Sequence, residues 1–314
     1  MRQSTSFSML LIVAAILVLL FLNLILGSVS IPLKSVWNIL CGNGGEPVTW
    51  QNIIWKSRLP QALTALVAGA GLSVSGLQMQ TVFRNPLAGP SVLGISSGAS
   101  MGVAFVVLLS GSIGGVALSR LGFMGEIALS VAAVIGSLSV MALIVYVSQK
   151  VKGNVTLLII GVMIGYVANA VIGVLKFFSV EEDIRAYVIW GLGSFSRVSG
   201  NQMMLFVGIM AVLLPLSFLL VKTLNLMLLG DGYARNLGLN VKRSRLLVIT
   251  SAGVLTAIVT AYCGPIIFLG LAVPHLSRAI FQTSDHRILM PSSLLVGGAL
   301  ALVCNLIARM PGFE

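Results

Sequence analysis

Acidic side chains are scarce in this chain. Its 314 residues hold eight Asp and Glu against 19 Lys and Arg, and charged residues of both signs make up only 9%. Soluble domains carry about 25%, so this chain cannot cover a water-facing surface. None of the eight acids (Glu46, Glu126, Glu181, Glu182, Asp183, Asp231, Asp285, Glu314) falls in the middle of a long apolar run. Proton relays and many ion-coupled carriers keep ionisable groups at membrane depth, so the acid pattern speaks against a self-powered carrier. Glu126 comes nearest to an exception. No Gly-Lys dipeptide occurs, which removes the P-loop and with it ATP binding by that route. The three cysteines, Cys41, Cys263 and Cys304, show no C-x-x-C spacing. The two histidines, His275 and His286, are eleven residues apart. Neither set has the spacing of a metal site. No paired catalytic residues at matching depth are visible, which argues against an intramembrane enzyme.

What the chain has in abundance is apolar sequence. It is 57% hydrophobic, contains 34 glycines and has a mean hydropathy of +1.05. This reads as an all-α polytopic membrane protein, one transmembrane domain over 1–314. Nine spans are expected, at roughly 9–28, 61–82, 91–110, 124–148, 155–178, 201–224, 245–262, 265–283 and 288–309. Most are near the ~20 residues needed to cross the hydrocarbon. The first is longer than a signal-peptide core and lacks a cleavage site, so it reads as a retained span. With the N-terminus in the cytoplasm, eleven cations fall inside and eight outside. That is a positive-inside bias, densest between Lys222 and Arg245. Such sparse, flanking charge suits lipid headgroups and excludes a nucleic-acid surface. The segment 179–200 reads as a short surface helix opened by Glu181, Glu182 and Asp183. His275 reads as an inward-facing residue beside a Pro274 kink, and His286 as a loop residue.

Polar joints interrupt the apolar runs. "RNPLAGP" (84–90) places two prolines between spans two and three, where neither can continue a helix. "KVKGNVTLL" (150–158) joins spans four and five, with Asn154 in a position suited to a helix cap. "LGDGYARNLGLNVKRSR" (229–245) has Gly230, Gly232 and Gly238 for tight turns, then a basic cluster.

With "RLPQALTALVAGAGLSVSGLQMQTVFRNPLAGPSVLGISSGAS" (58–100), that loop, "GPIIFLGLAVPHLSRAI" (264–280), "DHRILMPSSLLVGGALAL" (285–302) and "IARMPGFE" (307–314), the chain resembles the FecCD-type permeases. These are the membrane subunits of ABC importers for iron–siderophore, haem and vitamin B12. The resemblance implies a BtuC-like helical bundle and a homodimer around a central pathway. It also implies two copies of an ATP-binding subunit inside, a periplasmic or lipid-anchored substrate-binding protein outside, and location in the inner membrane. It implies no cofactor, no resident metal and no catalysis by this chain. Family members have ten spans. Nine are visible before Glu314, so the expectation is that a last helix is missing from this sequence.

The resemblance also assigns roles. Asn85 and Leu87, and more loosely Asn154 and Thr156, match the cytoplasmic gate. Gly230, Ala234, Arg235, Leu237 and Gly238 match the loop that docks on the ATPase, with Ala234 and Leu237 as its small apolar face. Arg58 and Arg309 match outer basic residues that pair with the binding protein. Where the family often has a second arginine, this chain has Gln61. The alternative is a stand-alone secondary carrier for a small solute.

Overall fold

Each of the nine expected spans falls on a helix in the computed structural model. It describes residues 2–43, 45–114, 123–151, 153–198 and 200–309, excluding the side chains of 2–4, 110–114, 123 and 154. Arg120, Lys152 and residues 310–314 of the final motif therefore lie outside the described residues. The helices are α1 (Arg2–Ile25), α2 (Leu33–Leu40), α3 (Val48–Ile53), α4 (Leu59–Phe83), α5 (Ile95–Gly114), α6 (Phe123–Lys150), α7 (Asn154–Phe177), α8 (Glu181–Gly191), α9 (Gly200–Phe218), α10 (Val221–Leu228), α11 (Asp231–Asn236), α12 (Val241–Cys263), α13 (Leu269–Phe281) and α14 (His286–Ile307). No strand occurs among the described residues. In lipid a helix satisfies its own backbone, which is why so apolar a chain takes this form.

Seven of the helical segments are long and apolar enough to cross a membrane, and the apolar stretches Ile95–Leu109 and Leu269–Phe281 are shorter. The expected span 265–283 is thus only partly helical. Gly264 takes φ +77 and Pro265 has no N–H to donate, so 264–268 runs as non-helical backbone before α13 begins. The segment before α4 is helical as well. A five-residue π turn, Ile54–Arg58, joins α3 to α4 without a loop.

α4 is the axis. It packs against α14, α12, α13 and α9, and nearly all of its residues are buried. Glycine sets how close the neighbours come. A Cβ on Gly76 would lie 1.7 Å from the Gly270 carbonyl oxygen, and one on Gly69 would lie 2.3 Å from that of Gly297. Hydroxyls tie the same helices. Ser75 Oγ lies 2.7 Å from Thr256 Oγ1 on α12 and 2.8 Å from the Ala252 carbonyl oxygen. At the α1–α14 contact, Asn305 Nδ2 donates to Asn23 Oδ1 at 2.8 Å. Small residues and interhelical hydrogen bonds supply the attraction that hydrophobic burial cannot supply in lipid.

Candidate functional site

The joints singled out in the sequence gather at one end of the bundle, the α11 end. α4 stops at Arg84, whose φ of +47 is left-handed. Asn85 Oδ1 then accepts from the Leu87 N–H at 2.9 Å, a side-chain-supported turn of the kind Asn favours. Pro90 opens a 3₁₀ turn, Pro90–Leu93, and Gly94 leads into α5. Asn85 is half-buried, and Leu87 projects with 64% of its surface exposed.

In the α10–α11 segment Gly230 and Gly238 make the turns expected of them, while Gly232 lies within α11. Gly230 (φ +102) opens α11 and Gly238 (φ +83) follows it. Asn240 Oδ1 caps α12 by accepting from the Arg243 N–H at 3.0 Å. The expected apolar face needs correction. Ala234 is fully buried beneath α11, so it cannot touch a partner. Leu237 is 61% exposed and Tyr233, which sequence reading passed over, is 72% exposed. Their i, i+4 spacing puts them on one face. Arg235 is exposed as well.

At the α6–α7 joint the cap is Gly153 (φ +120), with Asn154 the first residue of α7; the Asn154 side chain is not among those described. Thr156 is exposed. A cleft of about 900 Å³ connects this joint to α11 and α12, lined among others by Ser148, Gly153, Asp231, Arg235, Arg243 and Arg245. Asp231 contacts both Arg84 and Arg245.

His286 departs from its loop assignment. It is the first residue of α14 and is buried. Asn225 Oδ1 lies 2.9 Å from its backbone N–H and 2.8 Å from Nδ1, while Nε2 lies 2.8 Å from Thr81 Oγ1. Because an amide oxygen only accepts, Nδ1 carries a proton. Asn225 Nδ2 donates to Asp285 at 2.6 Å. The Arg287 backbone N–H and then Asn225 hold the Asp285 carboxyl below the ordinary carboxylate range. This network pins α10 to α4 and α14. His275, expected to face inward, is exposed.

The opposite end, the α8 end, carries two cavities. One of about 800 Å³ is lined among others by Gln61, Ser194, Pro265, Phe268, Asn305 and Arg309. The other, about 660 Å³, extends from the turn before α5 (Ser91, Gly94) to α8 and presents Ser96, Ser97, Tyr166 and Lys176. α8 begins at Glu181, where the acidic cluster placed it. Burial, and then the neighbouring Glu182, push the Asp183 carboxyl up. Glu126 accepts from Gln202 Nε2 at 2.9 Å.

Arg58 is not an exposed docking cation. It is 1% exposed, and its guanidinium donates to the carbonyls of Leu24 (2.8 Å), Ile25 (2.7 Å) and Val29. It satisfies the open C-terminal carbonyls of α1, which would otherwise lack partners. Arg309, half-buried, donates to the Asn23 carbonyl at 3.3 Å. Burial, and then Arg58, lower its pKa. Gly27 leaves room for both, since a Cβ there would lie 3.0 Å from the Arg309 guanidinium and 3.1 Å from that of Arg58.

Gly94-Ile95-Ser96-Ser97-Gly98 has the G-x-S-x-G spacing of a nucleophile elbow. Here it follows a 3₁₀ turn and opens a helix. The strand-to-helix turn that exposes such a serine is absent among the described residues.

Comparison with known proteins agrees with this architecture. The family model of the FecCD transport family matches residues 15–312. The hemin transport system permease protein HmuU of Yersinia pestis is 35% identical over 285 residues, covering 90% of this chain and 81% of that one. The vitamin B12 import system permease protein BtuC of Klebsiella pneumoniae is 34% identical, covering 83% and 75%. A probable iron chelatin transport system permease protein of Helicobacter pylori is 34% identical, covering 95% and 87%. A solved structure described as an inward-facing conformation of a metal-chelate type ABC transporter superposes with a TM-score of 0.80 at 27% identity, over 97% of this chain and 90% of that one. A multi-pass membrane helical bundle with this sequence match has one reading: the chain belongs to the FecCD transport family.

Proposed function

We propose that the chain is the membrane-spanning permease subunit of an ABC importer that moves a metal chelate (iron–siderophore, haem or cobalamin) into the cytoplasm, driven by ATP hydrolysis on a separate subunit. The observation that carries this is the match to permeases named for haem, vitamin B12 and iron, across 83% or more of the chain in each case. The chain acts as one permease domain in the inner membrane, with its N-terminus and the α11 end in the cytoplasm. It works as a homodimer with two ATP-binding subunits and a substrate-binding protein. Asn85, Leu87, Asn154 and Thr156 form the cytoplasmic gate. Arg235, Leu237 and Tyr233 face the ATPase, while Gly230 and Gly238 set the turns that present them. On the outer side Arg309 faces the binding protein, and Arg58 supports it from beneath by holding the end of α1. The hydroxyl- and amide-lined cavity at the α8 end suits a cargo handed on weakly rather than held.

The test is reconstitution in liposomes with the partner ATPase and binding protein, following uptake of labelled ferric siderophore, hemin and cobalamin. ATP-dependent uptake of one of them, abolished by Leu237→Asp, is expected. Uptake that needs no ATP and survives Leu237→Asp sinks this reading and leaves a self-contained carrier.

A further inference from the structure

The chain has 19 cations and eight carboxylates, yet among the described residues the only two ion pairs end on one side chain, Asp231. Arg84 Nη2 lies 2.5 Å from its Oδ1 and Arg245 Nη2 lies 3.1 Å from its Oδ2. Arg84 also donates to the Met227 carbonyl in α10 at 3.3 Å. Three segments therefore meet at one carboxylate: the left-handed end of α4, the first residue of α11 and the first turns of α12. Arg84 and Asp231 are 147 positions apart, so no short covalent path joins the 84–90 loop to α11.

The pair is partly exposed, at 43% for Arg84 and 36% for Asp231. Such pairs add little to stability, and a left-handed non-glycine residue costs some of it. The contact is thus a poor device for holding the fold. It differs from the Asn225–His286–Thr81 network beside it, which is buried and pins α10 to α4. One tie is a fixed pivot, and the other is exchangeable with water. That combination suits a part that turns.

We propose that Asp231 is a positioning residue that clamps the 84–90 loop to α11, so that movement of α11 is delivered to Asn85 and Leu87. This rests on the importer reading given above. Asp231 touches neither cargo nor nucleotide. It acts through Arg84, and Arg245 holds its second oxygen so that the carboxylate keeps its aim.

The test uses the chain assembled with its partner ATPase in nanodiscs. Exposed Cys41 and Cys304 are changed to serine and Leu87→Cys is added as a reporter. The readout is the rate of labelling by a charged maleimide, as a ratio with and without a non-hydrolysable ATP analogue. Hydrolysis rate does not enter it. In the parent the ratio is expected to be about fivefold or more, the low end for coupled sites. Asp231→Asn and Arg84→Gln should each bring it close to one. The double variant should be no worse than either single, as expected for two ends of one interaction. Asp231→Glu should restore the ratio, and Arg243→Gln, which removes a charge from the same cleft without touching Asp231, should leave it intact. An unchanged ratio in Asp231→Asn, or an equal loss in Arg243→Gln, overturns the clamp while the importer stands. No nucleotide effect in the parent overturns the clamp together with the ATP-driven gate.

Discussion

α4 and α7 are nearly equal in length, 25 and 24 residues, and they live in opposite surroundings. The segment containing α4 is 83% buried within the protein over its best membrane window, and the α7 segment is 28% buried. The buried one is the less hydropathic of the two, and indeed the least hydropathic of the seven spans. In a soluble protein the order would be reversed. Lipid accepts an apolar surface at no cost, so apolar side chains gain nothing by turning inward. Hydroxyls and amides cannot face lipid without losing their partners. They collect on α4, as Ser73, Ser75, Gln80 and Thr81, each hydrogen-bonded there. The outward faces of α7, with Ile159, Met163 and Val167, carry what lipid tolerates.

Three substitutions probe this contrast. The largest effect is expected from Gly76→Ala on α4. The added methyl would stand 1.7 Å from a backbone oxygen, which no side-chain rotation relieves. The penalty should reach about 3 kcal/mol or more, seen as loss of folded protein in detergent and a large fall in Tm. Arg58→Leu comes next. It keeps bulk but strands the carbonyls of Leu24, Ile25 and Val29, each worth about 1–3 kcal/mol when left buried without a donor. The expected loss is about 3 kcal/mol in total, with α1 more open to proteolysis. The smallest effect belongs to Gly173→Ala on α7, where a Cβ meets nothing within 4 Å. There the gain in helix propensity, about 1 kcal/mol at most, should leave Tm unchanged or slightly raised. A sharp fall instead would mean that α7 is covered by another chain in the assembled protein.

The same inversion explains what could be read in the sequence. Long apolar runs mark helices whatever lies beside them, so the positions of the helices were legible. Among the described residues, however, only seven are long and apolar enough to cross a membrane, and the expected span 201–224 runs over the break between α9 and α10. Also legible were the proline-broken loop at 84–90 and the turns at Gly230 and Gly238, because their constraints are local. Which side of a helix faces protein was not legible, since apolar residues serve both sides. Ala234 therefore seemed a contact residue and is buried. His275 was expected inside and lies outside, and His286 did the opposite. Arg58 misled for another reason. Its partners lie 29 to 34 positions earlier in the chain, and no spacing rule reaches that far. Arg58 is buried, so it does not offer the exposed cation expected of it.

The short α13 has an electrical consequence. Its 13 residues span about 20 Å at 1.5 Å per residue, against a hydrocarbon core of about 30 Å. The remaining depth is taken by the bare backbone of 264–268, which must lie against protein or water rather than lipid, and part of it walls the cavity at the α8 end. Where water fills such a cavity, the insulating layer is thinner than the membrane around it. The membrane voltage then drops over a shorter distance, and the field across that layer is steeper than across the full hydrocarbon core. Any charge entering such a cavity has already crossed part of the bilayer before it meets most of the voltage.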